Sequence, residues 1–474
     1  MDTALLRPAH PPGIAPGERT LVVGMGRSGT AAASLVLAAG GTPVLVDDAP
    51  AQLTKPAVEA LVARGAVRAG MEPLTQVSLV VTSPGVPGSH PILADARNKK
   101  IPVWSELELA FRYCACPVLA VTGSDGKSTT CALLAHLIAS AGRKVVLGGN
   151  IGTPLSALVQ SITREAFAVV EVSSYQLESS TTFRPWVAAL LNVAPDHLER
   201  HGSLTAYAQA KARIFACQGP GDSSVVNADR PGLQDLIPAT AATRLHFSAR
   251  GPVDAGACVT DGWLSQVDDS GARRILSADL LPLPGLHNVE NALAALAMAL
   301  PLRLTVDSLA AGLHSFKALP HRIELVATVR GVRYINDSKA TNVHSAVTGL
   351  VSIRSPVVLL AGGKDKGLSF EPLAEATRKR VKSAIVYGEA AARLESALEP
   401  VVPTLRVRDL AAAVEAAAAG AVAGDVVLLS PACSSFDAYG SFEERGEHFR
   451  ALVLALPGIR PDSADQEMPK KSSR

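Results

Sequence analysis

The feature that most restricts this chain's fold is a repeated alternation of short β-branched apolar runs with Ala/Leu-rich stretches of helical period. Leu21–Val23, Val44–Val46 and Leu79–Val81 read as buried strands, with helices near 28–39 and 55–64 between them. A strand covered on both faces shows no polar alternation, and strands separated by helix-length segments run parallel, so the pattern predicts βαβ units. A second unit opens at Val118–Val121, with a long helix after Lys127 and further runs at Val145–Leu147, Ala168–Val172 and Val187–Leu191. The segment from about 220 to 285 is richer in Gly, Pro and Asp and reads as irregular or antiparallel; helix signals return at Val289–Leu300. After a linker-like stretch, Lys317–Arg322, where Pro320 discourages helix, come Val332–Ile335, Val357–Ala361, Ala384–Tyr387 and Val426–Leu429. The expected division is a tail over 1–19, α/β domains over 20–114, 115–317 and 318–460, and a polar tail over 461–474.

Composition narrows the function. With 48% apolar and 19% charged residues the chain can bury several cores. A net charge of +2 and 4% aromatic residues argue against a protein built to neutralise nucleic acid, stack bases or coat an anionic membrane. The six cysteines show no C-x-x-C or zinc spacing and read as reduced, mostly buried thiols. The Pro-rich start lacks the apolar core of a signal peptide, and Ala-rich 411–423 is too short to span a bilayer. A cytoplasmic protein is expected.

The richest motif is Thr122-Gly123-Ser124-Asp125-Gly126-Lys127-Ser128-Thr129, between an apolar run and a helix. Glycines there let backbone N–H groups curl around phosphate oxygens at a helix N-terminus. Lys127 would neutralise β/γ-phosphates, and the Ser128 hydroxyl would ligate Mg²⁺. Val121 stands where the usual first glycine of such a loop falls, and a polar-capped turn is the plainer alternative.

Gly24-Met25-Gly26-Arg27-Ser28-Gly29 has G-x-G-x-x-G spacing after a strand, with Asp47 downstream. A nucleotide-diphosphate cradle, a dinucleotide site and a plain tight turn all stay open. Ser83-Pro84-Gly85-Val86-Pro87 follows the third strand at the same sheet edge. Glu171 ends the run Ala168–Glu171 at a strand's carboxyl end, a position suited to a Mg²⁺ ligand or a capped, solvated carboxylate. Ser173, Ser174 and Gln176 come next, then Asp196-His197; a lone His is usually packed. Lys211, in an amphipathic helix, reads by itself as exposed. Asn336–Asn342, Gly362–Gly367 and Ser430–Asp437 each follow a strand and look like one ligand edge.

Together the Thr122–Thr129 loop, Gly149-Asn150-Ile151-Gly152, Glu171–Leu177, Asp196-His197, Lys211, His287–Asn291 and His321-Arg322 resemble the Mur ligases, in order and spacing, from about Thr20 to Phe449. Asn336–Asn342 and Leu429–Phe442 are similar to the strings of the D-glutamate-adding members. The Asp-Asn-Pro-Arg string of the diaminopimelate- or lysine-adding members is lacking. The resemblance implies three α/β domains: an N-terminal Rossmann-like UDP-binding domain, a central P-loop-type ATPase domain, and a C-terminal Rossmann-like domain binding the amino acid. It turns the first glycine turn into a diphosphate cradle and implies UDP-substrate contacts at Gly26, Arg27, Ser28, Asp47, Asp48, Ser83, Pro84, Gly85, Asn150, Ser173 and Gln176. ATP contacts are implied at Gly123–Thr129, Asn291, Arg322 and Asp337. Metal contacts to two Mg²⁺ are implied at Ser128, Glu171, His197 and a carbamylated Lys211. D-Glutamate contacts are implied at Thr341, Lys366, Ser435 and Phe442.

Two positions depart from the family pattern: Ser124-Asp125 stands for the usual Thr-Asn, and Ala49 replaces a polar residue near the uracil. The implied activity is ATP-dependent addition of D-glutamate to UDP-N-acetylmuramoyl-L-alanine through an acyl phosphate. Lys127, His197 and Lys211 would be the catalytic residues of a monomer working on small molecules, without nucleic acid or membrane. The alternatives are another amide ligase of this type or of the folylpolyglutamate synthetase kind. A binding protein that lost turnover and a dinucleotide-dependent oxidoreductase are further readings.

Overall fold

The computed structural model describes residues 12–69, 74–283, 285–317, 319–378 and 380–460. The first eleven residues of the expected N-terminal tail, and the tail over 461–474, lie outside them. The chain divides into two compact units, Met1–Phe316 and Lys317–Arg474.

The first unit carries two sheets. In the five-stranded parallel one, Arg19–Val23 lies between Thr42–Val46 and Leu79–Thr82. Order reverses there, so the turn after Val23 and the loop after Thr82 flank one crevice at the strands' carboxyl ends. In the nine-stranded sheet Val118–Thr122 is the third strand from one edge, paired in parallel with Phe167–Glu171 and Val187–Leu190. All five residues of Val118–Thr122 are buried, as its unbroken apolar run requires. One continuous core, from Val22 and Leu45 through Leu109 and Phe111 to Ala120 and Ala188, joins the two sheets. Glu108, wholly buried, braces this junction: it accepts from Arg112 and from the backbone N–H groups of Thr181 and Thr182, at 2.8 to 3.0 Å.

The stretch expected to be irregular or antiparallel holds both kinds of structure, but it also carries parallel strands that the expectation left out. Ser223–Asn227, Thr243–Ser248 and Gly256–Thr260 extend the nine-stranded sheet in parallel, and only Trp263–Asp268 and Gly271–Ser277 run antiparallel. The glycines and prolines that suggested irregularity sit mostly in connections, and polar residues within the strands mask their period.

The second unit is a seven-stranded sheet in which Val426–Leu429 lies between Val332–Asn336 and Val357–Gly362, all parallel. Glu324–Val329 is antiparallel to both neighbours. The loops leaving the three central strands, 336–342, 362–367 and 430–437, therefore open on the same edge. Among the described residues no helix is long and apolar enough to cross a membrane.

Candidate active site

The crevice of the first sheet is a cavity of about 440 Å³. It gathers ten of the eleven residues expected to hold a UDP-linked substrate: Gly26, Arg27, Ser28, Asp47, Asp48, Ser83, Pro84, Gly85, Asn150 and Gln176. Ser173 is not in its lining; its hydroxyl instead caps the helix Ser174–Glu178 in a reciprocal box with Gln176. The glycine turn is sterically obligatory, since a Cβ on Gly29 would stand 1.7 Å from the carbonyl oxygen of Gly24. Asp47 braces the turn, accepting from the N–H of Met25 at 2.6 Å and of Ala49 at 2.9 Å. Asp48 pairs with His90, a lining residue that sequence reasoning passed over, at 3.1 Å.

The second cluster surrounds the Gly123–Ser128 loop. Gly126 has φ +82°, and a side chain there would strike Asn291 Oδ1 at 2.3 Å. Asn192 Oδ1 accepts from the N–H groups of Ser124 and Asp125 at 3.0 and 2.9 Å and so shapes the loop from behind. Lys127 Nζ folds back to donate to the carbonyls of Gly123 and Ser124. Ser128 Oγ donates to Glu171 Oε2 at 2.5 Å, while Asn150 Nδ2 donates to the other carboxylate oxygen at 2.8 Å. Ser128, Thr129 and Glu171 are buried, and Asn291 accepts from Thr130 Oγ1 at 3.4 Å.

Lys211 is 1% exposed, so its own helix pattern misled: Tyr207, Ala208 and Ala212 share the inward face. Its Nζ donates to the carbonyl of Gly123 at 2.8 Å and lies 4.3 Å from the centre of the Tyr207 ring. Burial first, and Lys127 second, pull its pKa well below the ordinary lysine value. The Tyr207 hydroxyl receives Ser124 Oγ at 3.4 Å. His197, at φ +54°, packs its ring 4.9 Å from that of Tyr175, with Asp196 and Glu199 each 3.5 Å from one ring nitrogen. Neither tyrosine was singled out in the sequence; an aromatic in a helix reads as core, and only the fold shows which core it lines.

In the second unit Asp337 is buried and accepts from Ser430 Oγ at 2.9 Å. His321, at φ +63°, bonds Asn336 Nδ2 through Nδ1 at 3.0 Å, and Arg322 beside it is half-buried. Thr341, Lys366 and Phe442 are half-buried and Ser435 is buried. The residue that ties their loops together is Arg445, fully buried. It donates to Ser338 Oγ and O, Gly362 O, Cys433 O and Ser434 O at 2.9 to 3.3 Å. Standing in Glu443-Glu444-Arg445-Gly446-Glu447, it reads in sequence as part of a solvated charged face.

The crevice with its glycine turn belongs to the first sheet, the Gly123–Ser128 loop with its buried lysine to the second, and three loops share one edge of the third. Models of the Mur ligase MurD-like N-terminal domain, the Mur ligase middle domain and the Mur ligase glutamate ligase domain match residues 18–105, 121–299 and 321–433. The UDP-N-acetylmuramoylalanine--D-glutamate ligase of Pelotomaculum thermopropionicum is 43% identical over 93% of this chain and 98% of its own length. The protein of the same name from Anaeromyxobacter dehalogenans is 42% identical over 92% and 97%. The chain belongs to the Mur ligase family, in its UDP-N-acetylmuramoylalanine--D-glutamate ligase branch. Among solved structures, the UDP-N-acetylmuramate-alanine ligase MurC of Thermotoga maritima shares the fold with a TM-score of 0.59 at 19% identity, covering 92% of this chain and 99% of that one. MurF of the same organism, in complex with ADP, gives 0.59 at 19% identity, over 93% and 96%.

Proposed function

We propose that this chain is the cytoplasmic enzyme that joins D-glutamate to UDP-N-acetylmuramoyl-L-alanine, forming an amide at the expense of ATP in peptidoglycan precursor synthesis. The observation that best supports this reading is the double role of Asn150, which lines the crevice and donates to Glu171 beneath the phosphate loop. A substrate whose diphosphate occupies the glycine turn then extends its alanyl carboxylate toward the ATP phosphates.

In this reading Gly26, Arg27, Ser28 and the Ser83–Gly85 loop hold the diphosphate, with Asp47 and Asp48 on the uridine side. The Gly123–Thr129 loop wraps the ATP polyphosphate, which is bound by the Lys127 ammonium and by the backbone N–H groups at the helix start, Lys127–Thr129, those of Ser124 and Asp125 being held by Asn192. Asn291 lies on the adenine side, and Arg322 and Asp337 are taken as contacts of the ribose and phosphates. The substrate carboxylate attacks the γ-phosphorus, ADP leaves, and an acyl phosphate results. The D-glutamate amine attacks the acyl carbon, and phosphate departs from the tetrahedral adduct. Lys366 with the hydroxyls of Thr341 and Ser435 matches the two D-glutamate carboxylates, and Phe442 packs beside them.

The residues suit Mg²⁺. The Ser128 hydroxyl and Glu171 carboxylate converge as hard oxygen donors, as that ion prefers. They would hold one ion, and His197 with a carbamylated Lys211 a second; when bound, Mg²⁺ supplies charge neutralisation of the transferring phosphoryl group. Lys211 is suited to carbamylation because its burial favours the neutral amine that attacks CO₂, the product being an anion.

The test is phosphate release from ATP with UDP-N-acetylmuramoyl-L-alanine and a panel of amino acids. Release dependent on D-glutamate is expected; release dependent on L-glutamate or on none of the amino acids would overturn the assignment.

A further inference from the structure

Arg200 stands three residues after His197, in the short helical turn Leu198–His201. Its guanidinium makes four hydrogen bonds to two separate parts of the first unit. Nε and Nη2 grip Glu178 at 3.1 and 2.6 Å, while Nη1 and Nη2 donate to the carbonyls of Pro84 and Val86 at 3.0 and 3.1 Å. Those carbonyls belong to the Ser83–Pro87 loop, which lines the crevice and has neither strand nor helix to fix it. The flat face of the guanidinium lies 4.0 Å from the centre of the Tyr175 ring, which also meets the rings of His197 at 4.9 Å and His201 at 5.7 Å. From there the aromatic cluster continues through His201 to Tyr207, 5.1 Å away, and so to Ser124 in the phosphate loop. One side chain thus spans the wall of the crevice and the ring that carries His197. A planar fork with fixed donor directions can hold two carbonyls, a carboxylate and an aromatic face in one register; an ammonium cannot.

We infer that Arg200 is a positioning residue of the ligase reaction, setting the Pro84–Val86 loop to receive the UDP moiety while fixing the register of Tyr175 and His197. This rests on the crevice being the UDP-substrate site. Its loss therefore affects the UDP substrate and the chemical step but not the binding of ATP, since no atom of Arg200 bonds the Gly123–Ser128 loop.

The experiment compares wild type, Arg200→Lys, Arg200→Ala and Glu178→Gln as full-length proteins, by steady-state kinetics and by calorimetric titration with UDP alone. Expected for Arg200→Lys are a KM for the UDP substrate raised roughly tenfold, a lowered kcat and an unchanged KM for ATP, with UDP binding weakened to match. Arg200→Ala should be worse and partly rescued by guanidinium ion, and Glu178→Gln milder in the same direction. Unchanged UDP binding and unchanged KM values would overturn the inference. So would a parallel rise in both KM values with a lowered melting temperature, which marks a merely structural role. Should Arg200→Ala not fold, Arg200→Lys and Glu178→Gln decide the matter. A wild type that binds UDP but makes no product refutes the ligase reading instead, and the UDP titrations still test Arg200.

Discussion

Lys127 and Lys211 donate to the same acceptor, the carbonyl oxygen of Gly123, each at 2.8 Å. Two ammonium groups on one carbonyl repel each other, and Lys211, being the buried one, is the one whose charge is disfavoured. Converting Lys211 to a carbamate would replace that repulsion by attraction. Lys211→Ala is therefore expected to lose roughly 10²-fold or more in kcat, the scale of removing a positioned electrostatic group, and to recover partly with short carboxylic acids. Carbon-13 NMR of protein equilibrated with labelled bicarbonate should show a carbamate signal that the variant lacks. Wild-type activity in Lys211→Ala would refute the role.

Asp125 puts a carboxylate in the phosphate loop. Its backbone is held on both sides by Asn192, which accepts from its N–H and donates to its carbonyl at 3.2 Å. Asp125→Asn keeps those backbone bonds and removes one negative charge from the loop proposed to bind polyphosphate. The KM for ATP should fall about fivefold, equivalent to roughly 1 kcal/mol for a partly solvated charge pair. An unchanged or higher KM would mean that the carboxylate is offset by the nearby lysines.

Arg445 holds three loops of the second unit through carbonyl and hydroxyl acceptors. Arg445→Lys retains the charge but cannot reach all of these acceptors. The expected result is a KM for D-glutamate raised at least tenfold with the KM for the UDP substrate unchanged, because the crevice lies in the other unit. Equal effects on both would show that the substitution acts by unfolding.

Acid stability has a named contributor away from both clusters. Burial pulls the pKa of His246 below its ordinary value of 6.5, with Asp254 opposing and Arg244 assisting. Above that value both folded and unfolded chains carry a neutral ring, and its contribution is intact. As pH falls through 6.5 the unfolded chain gains a proton that the folded one resists, so stability is lost down to the folded pKa. Urea unfolding of His246→Gln should accordingly show a shallower fall in stability between about pH 7 and 5 than wild type, with turnover unchanged. Parallel curves would remove His246 from the account.

Much of this was legible in the sequence. The alternation of apolar runs and helical stretches determined parallel α/β sheets, because a strand covered on both faces has no polar period. The Gly24–Gly29 turn and the Gly123–Ser128 loop were readable for a related reason: close backbone approach leaves no room for a side chain, and glycine spacing records this directly. Local patterns failed where partners come from elsewhere. Lys211 looks exposed until its helix packs against a loop 88 residues earlier, and Arg445 looks solvated until three strand ends close over it. Arg200 gave no signal at all, since two of its acceptors are backbone carbonyls at Pro84 and Val86, which any residue can supply, and its carboxylate partner Glu178 lies 22 residues away. Sequence determines what a segment can form and which chemistry it carries. The tertiary structure alone decided which charges lose their water and which distant groups replace it, because desolvation depends on every element packed around a side chain.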